Sequence, residues 1–400
     1  MESSEGTIQP PLANIRIADF TWWQSGPQAT QYLAVLGAEV IKVESRQRLD
    51  PLRRLAGGTP FLALNRGKKS CTLNLTRPEA VKIVRELIKI SDAVVENFAG
   101  GVMGRLGLDY QKITEIKPDI VMLSISGLGK TGPEKDYIAY AQTMHAYSGL
   151  SSLTGYPGGP PVSLGAFWGD QVAALAGAFS LLAALYHRKK TGQGQYIDLS
   201  MSETLSSMIP EGIMDYTMNR RVRLPMGNRD DTIAPHGCYR CRGKDEWVAI
   251  AVSTEEEWND FRRVMGNPEW SRNDRFSTNH KRIRNQDELD RLIEGWTISL
   301  DAFEVMEALQ RAGIAAGPSQ RPEQLITDPQ LRERGFFVEM DDPGEGEQRF
   351  ARMPWLAGAS PNMIHSPPPN PGEHNSYVFG KLLGMHEDEI RRLTKDKVIY

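Results

Sequence analysis

Between Ser163 and Ala178 the sequence SLGAFWGDQVAALAGA sets one acid, Asp170, between small, flexible residues and the longest apolar run of the chain. Val172 to Tyr186 reads as a buried helix. His187, Arg188, Lys189 and Lys190 and the turn Thr191-Gly192 close it, because cations in a last turn complement the helix dipole. The run is too short to cross a bilayer comfortably, so it has to be covered by a large core of the protein's own making. Asp170 falls at or just before the helix start. An aspartate there is first of all an N-cap, accepting from the free N–H groups of the first turn. The same carboxylate can also attack as a nucleophile and carry a covalent acyl group, and Gly165 and Gly169 leave room for a bulky substrate. The helix alone leaves both readings open.

A core able to cover such a helix needs length, and 400 residues allow two domains, or one large domain with a smaller one inserted. With 40% hydrophobic and 24% charged residues the composition is that of a globular protein. A net charge of −3 gives no electrostatic case for nucleic acid or an anionic membrane as a partner. The opening MESSEGTIQPPL has no apolar targeting core. Three cysteines, an odd number, speak against a disulfide framework and fit a reducing, cytoplasmic compartment. Cys238 and Cys241 form a CxxC without a second pair, so they read as strand residues, and no metal site is expected.

The first half of the chain alternates strand and helix patterns. Asn14–Asp19 and Val40–Val43 read as strands around a short helix at Ala29–Leu36. Further strands are expected at Ser70–Leu75, Ala93–Glu96, Ile120–Ser126 and Tyr196–Leu199, with helices at Pro78–Ile90 and Ser202–Met208. This is the pattern of a parallel sheet with crossover helices, an α/β large domain of Rossmann-like type. The loop Thr21–Pro27 follows the first strand, where open α/β sheets bind ligands. It is not a GxGxxG, and Lys130-Thr131-Gly132 is only part of a phosphate loop, so neither a dinucleotide nor a P-loop site is supported. The expected division is a large domain over 1–210, a linker over 211–232, a small α+β domain over 233–318, and a return to the large domain over 319–400. In the small domain Cys238–Arg242 and Trp247–Ala251 read as a hairpin, and Glu255–Met265, Gln286–Trp296 and Asp301–Ala312 as helices. Ala315–Pro318 reads as a strand entering the connector, and Gln348–Met353 as a strand after it.

Several segments, in order, resemble the class III CoA-transferases, among them the formyl-CoA:oxalate and crotonobetainyl-CoA:carnitine enzymes. They are PLANIRIADFT with QSGP, LGAEVIKVE, NRGKKSCTLNL, VVENFAGGVMGRLG, SISGLGKTGP, YSGLSSLTG, GAFWGDQVAALAG, KTGQGQYIDLSMSE and GEHN. The resemblance implies two chains interlocked like rings, as a homodimer or with a related subunit. Each would have a Rossmann-like large domain made from both chain ends and a smaller inserted α+β domain. It implies that Asp170 is the residue that becomes acylated and that Gln24 sits beside the reacting acyl group. Coenzyme A would lie against Trp23, Leu73, Asn97 and Phe98, with Arg105 and the less closely matched Arg46 at its phosphates. Cations are needed there because CoA carries several negative charges.

The departures bear on substrate. The long glycine-rich lid of formyl-CoA transferase is reduced here to MGNRDDTIAPHG, and Trp22 and Trp23 are large where many members are small. Trp22, Tyr140 and Trp168 are therefore read as the substrate pocket, suited to an aromatic or bulky acid of benzylsuccinate type, with a carnitine-like acceptor as the other use of aromatic faces. The expected reaction moves CoA from an acyl-CoA such as succinyl-CoA to a free carboxylic acid through an aspartyl anhydride and an aspartyl-CoA thioester. CoA thioesters enter it as substrates, and no permanently bound cofactor is required. Backbone N–H groups near Gly169 or the helix start are expected to stabilise the oxyanions. A 2-methylacyl-CoA racemase is the alternative, weakened by Ala139-Tyr140-Ala141 standing where the racemases have Gly-His-Asp; His145, five residues beyond Tyr140, reads as a packing residue. A non-catalytic subunit of a heteromeric transferase is a second alternative, which the retained Asp170 argues against.

Overall fold

The computed structural model describes residues 9–165, 167–342, 346–355 and 366–400. It divides into two compact units. One comprises the chain up to Ser151, Ser163–Arg220 and Glu333–Tyr400; the other comprises Ser152–Val162 and Arg221–Arg332.

The larger unit is built on β1 (Arg16–Asp19), β2 (Glu39–Glu44), β3 (Lys69–Thr72), β4 (Ala93–Glu96), β5 (Val121–Ser126) and β6 (Tyr196–Ser200). All pair in parallel in the order β3-β2-β1-β4-β5-β6. That is the doubly wound order, and the chain reverses direction across the sheet between β1 and β4. Alternate residues of β1, β2, β4 and β5 enter two separate cores, one on each face. Ala18, Ile41, Val43 and Val94 face one side; Ile17, Val40, Val95 and Leu123 face the other. Sheets covered on both faces need strands with few polar residues, which is why these segments read as apolar runs.

The second of these cores is closed by the helix Trp168–Thr191. At 24 residues, with an 18-residue stretch of mean hydropathy 1.3, it is long and apolar enough to cross a membrane, so its length corrects the short span expected from the apolar run. Its inner face is nonetheless made of small residues that fit a sheet. Ala173, Ala174, Gly177 and Ala178 are buried. A Cβ on Gly177 would stand 3.2 Å from Ile125 and 3.7 Å from Ala29, so the glycine lets the helix lie close on β5 and on the helix Ser25–Val35. At the far end Arg188 pairs with Asp92 (2.7 Å) and Asp119 (2.6 Å), and Gly192 ends the helix at φ 75°. The other core takes in the C-terminal segment through Val378, Phe379, Leu393 and Ile399. His374 N–H donates to Ser70 O, Thr72 N–H donates to Asn375 Oδ1, and Asn375 Nδ2 donates to Tyr400 O. The GEHN segment thus ties the end of the chain to β3.

The same unit contains the antiparallel hairpin of β10 (Phe337–Asp342) and β11 (Gly346–Ala351), of which the sequence pattern showed only the second strand. The smaller unit has the antiparallel sheet β7 (His236–Arg240), β8 (Trp247–Ala251) and β9 (Ala315–Pro318). Ala315–Pro318 is thus the third strand of this sheet as well as the way out of it. The helices Glu255–Val264, Gln286–Thr297 and Ala302–Arg311 cover the sheet through Trp258, Phe261, Ile293 and Leu309. Cys238 lies on β7 and Cys241 just beyond it, both free thiols.

Candidate active site

The carboxyl ends of β1 and β4 lie side by side at the point where the strand order reverses, and their loops hold each other. Trp22 N–H donates to Asn97 Oδ1 at 2.8 Å, and Asn97 Nδ2 donates back to Trp22 O at 2.7 Å. The Trp22 ring meets Phe98 edge-on at 5.8 Å, and the Arg48 guanidinium lies over the Trp22 ring at 4.9 Å. Lys130 braces the same corner: its Nζ donates to Phe98 O (2.6 Å) and pairs with Glu96 (3.2 Å). The lysine of the partial phosphate-loop motif is therefore occupied by protein groups.

A buried charge network underlies the β1 loop. Asp19 accepts from Thr21 N–H, Thr21 Oγ1 and Thr30 Oγ1, and pairs with Lys68 at 3.1 Å. Burial opposes ionisation of Asp19, but Lys68, Lys42 and the Thr21 bonds together hold its carboxyl below the usual range. Lys68 is itself pushed down to about 8 by burial. Lys42 Nζ donates to Thr21 O at 2.7 Å and pairs with Asp50 at 3.5 Å, while Asp50 Oδ1 accepts from Trp23 N–H. These bonds hold Trp23 at φ 57°, a left-handed conformation that a large side chain rarely adopts. The turn sets Gln24 at the cap and Ser25 at the first residue of the helix Ser25–Val35. Gly26 has to be glycine, since a Cβ would stand 2.5 Å from Thr21.

Asp170 faces this turn. It is the third residue of its helix, which begins at Trp168 after Phe167 at φ 52°. Phe167 holds the cap position, and Asp170 lies within the first turn. The backbone N–H and the hydroxyl of Ser25 stand near its carboxyl and pull its pKa down. The N-cap reading is corrected by this position: the carboxylate lies inside the first turn and near the start of a second helix, whose positive end favours it. Burial nevertheless wins over the two Ser25 bonds and raises the Asp170 carboxyl to about 6. A carboxylate that is ionised at neutral pH and poorly solvated is a stronger nucleophile than one in bulk water.

Asp170 opens into a cavity of about 820 Å³, within the range of small-molecule sites. Gln24, Trp22 and Trp23 line it from the β1 loop, and Asn97 and Phe98 from the β4 loop. Leu73, fully buried, and Tyr140, exposed, complete the set of expected residues on its walls. Three expected residues are not among those lining it. Trp168 is largely exposed, Arg46 donates to Pro371 O at 3.1 Å, and Arg105 lies exposed on the short helix Val102–Arg105, whose neighbours Val102 and Leu106 do line the cavity. The cations among the lining residues are Arg48 and Lys135. Sequence reasoning passed over Arg48 and Ser25. Ser25 could have been suspected from its place directly after Gln24 at a helix start, whereas the stacking of Arg48 on Trp22 is a tertiary fact. The amides expected to serve as an oxyanion hole are also committed elsewhere, Gly169 N–H to His145 Nε2 (2.9 Å) and Asp170 N–H to Phe167 O (2.9 Å).

An acid at the mouth of a doubly wound sheet, facing a helix start and a large cavity, marks a candidate small-molecule site. Residues 12–375 match the model of CoA-transferase family III, and the chain belongs to that family. It is 32% identical to the succinyl-CoA–D-citramalate CoA-transferase of Chloroflexus aurantiacus over 97% of this chain and 98% of that one. It is 33% identical to the β subunit of the succinyl-CoA–L-malate CoA-transferase of the same organism over 98% and 99%. Among solved structures, a CAIB/BAIF family protein from Brucella suis superposes with a TM-score of 0.86 at 29% identity, covering 94% of this chain and all of that one. The protein is thus a CoA-transferase, and CoA thioesters and free acids are its substrates.

Proposed function

We propose that Asp170 carries both half-reactions and that succinyl-CoA or a close dicarboxylic analogue is the donor. The observation that bears most weight is the Asp170 carboxylate, half-buried at the cavity beside Ser25 and raised to about 6 by desolvation. The donor proposal draws on the two Chloroflexus relatives, whose names give succinyl-CoA. One Asp170 oxygen attacks the thioester carbonyl, the C–S bond breaks, and CoA leaves as thiolate while a mixed anhydride remains. The thiolate then attacks the aspartyl carbonyl carbon, the donor acid departs as carboxylate, and an aspartyl-CoA thioester is left. An acceptor carboxylate repeats these steps in reverse and restores Asp170. Throughout, the Ser25 N–H and hydroxyl hold the second Asp170 oxygen, where negative charge grows each time the aspartyl carbon is attacked. Gln24 offers its amide to the acyl oxygen.

Arg48, stacked on Trp22 at the cavity, is a natural partner for a CoA phosphate, with Arg105 and Arg46 outside the lining as weaker candidates. The aromatic walls at Trp22, Trp23 and Tyr140 favour a bulky, apolar acceptor acid over a small hydroxy acid. The working form is a pair of interlocked chains. In its support, Leu175, Phe179 and Tyr186 on the Asp170 helix and Ile213, Met214 and Met218 on the helix Pro210–Asn219 are exposed in the single chain; apolar surface on this scale marks an interface.

The test is covalent. Given donor acyl-CoA alone, wild-type protein should gain mass on the peptide containing Asp170, and hydroxylamine should trap it. Asp170→Ser should fold, bind CoA and lose transfer. Near-normal transfer by that variant would overturn the mechanism. A panel of acids read by mass spectrometry names the acceptor.

A further inference from the structure

We propose that His145 is a positioning residue for Asp170, holding the first turn of the nucleophile's helix by accepting its Gly169 N–H. His145 lies on the helix Ala141–Tyr147 and is fully buried. Its Nε2 is 2.9 Å from Gly169 N, and a backbone amide can only donate, so Nε2 carries no proton. The ring proton is then on Nδ1, which donates to Ser163 Oγ at 2.8 Å. One imidazole thus ties the residue immediately before Asp170 to the strand of chain that leads into the site.

The fit is close on both sides. A Cβ on Gly169 would stand 3.2 Å from His145 Nε2 and 3.2 Å from Leu205 Cδ1, so any larger residue at 169 would press on the imidazole. The bond also compensates for an awkward entry. Phe167, two residues earlier, is left-handed at φ 52°, and the helix has no side-chain cap. Conformations of this kind persist only where the surroundings impose them. With the Gly169 amide fixed, Asp170 is aimed at Ser25 rather than at its own helix end. Burial lowers the His145 pKa, which agrees with a ring that stays neutral.

The inference rests on Asp170 being the nucleophile, and the experiment separates the two. His145→Gln places an amide oxygen where Nε2 was and can still accept from Gly169. His145→Asn is shorter, reaches only toward Ser163, and leaves the amide unpaired. Both are polar and of similar size, so the pair controls for packing. The readout is the rate at which donor acyl-CoA labels Asp170, with free-CoA affinity measured beside it. His145→Gln should label within about threefold of wild type, and His145→Asn about tenfold more slowly, the effect of an unsatisfied buried amide of about 1.4 kcal/mol. CoA affinity should stay within twofold in both. Equal labelling rates in the two variants, or a matching loss of CoA affinity in His145→Asn, would overturn the positioning role. Failure of wild-type protein to label at all would instead overturn the nucleophile assignment.

Discussion

Asp170→Asn should make the protein inactive and at the same time more stable. Burial raises the Asp170 carboxyl from its ordinary 3.8 to about 6, against the pull of the Ser25 bonds. Between these two values the unfolded chain releases a proton that the native site still holds, so native stability falls as pH rises through the window. Each pK unit is worth 1.36 kcal/mol, so a shift of roughly two units destabilises the native state by about 3 kcal/mol once the pH is above the folded value. Asparagine carries no charge and keeps an oxygen for Ser25 to bond, so most of this cost should disappear. Urea unfolding at about pH 7.5 should show Asp170→Asn more stable than wild type by about 2–3 kcal/mol, and at about pH 4 the two should coincide. The same variant should give no covalent label from acyl-CoA. A gain in stability with loss of activity is the behaviour of a site that stores an unfavourable charge for its chemistry. If Asp170→Asn is no more stable at neutral pH, or if the gap fails to close on acidification, the electrostatic account of this carboxylate is wrong.

If Asp170 attacks as proposed, transfer activity should fall as pH drops through about 6, since the attack needs its ionised form; Ser25→Ala, which removes a group that lowers this pKa, should move the acid limb upward. A flat profile in both proteins across that range would contradict this. Arg48→Ala should weaken binding of free CoA roughly tenfold and reduce its salt sensitivity, as loss of a charge-assisted bond requires. Arg46→Ala and Arg105→Ala should do less in the same titration, and a larger effect from either would move the phosphate site away from Trp22. Sedimentation at high dilution should show no folded monomer, since interlocked chains cannot part without unfolding; a compact monomer would exclude that assembly.

Local physics made the sheet legible before any coordinates. Strands buried on both faces must be apolar throughout, and helices between them must repeat near every fourth residue, so β1 to β6 and the Pro78–Lys89 helix could be read from pattern alone. The same holds for the position of the candidate site, because a loop after the first strand of such a sheet opens at its carboxyl edge. Asp170 stood out as the one acid before an apolar run, and the resemblance to the CoA-transferases carried Gln24, Asn97 and Phe98 with it. What pattern could not decide was direction and partnership. A strand's period says nothing of which strand it joins, so the order β3-β2-β1-β4-β5-β6, the use of Ala315–Pro318 as the third strand of its sheet and the unread β10 depend on contacts across long separations. The nearness of Asp170 to Ser25 follows from two helix starts meeting in space, 145 residues apart in sequence. His145, which pattern reads as packing, gains its contact with Gly169 only because one helix is laid against another. Each of these is a choice of hydrogen-bond partner made when distant segments are desolvated together, and no local propensity encodes it.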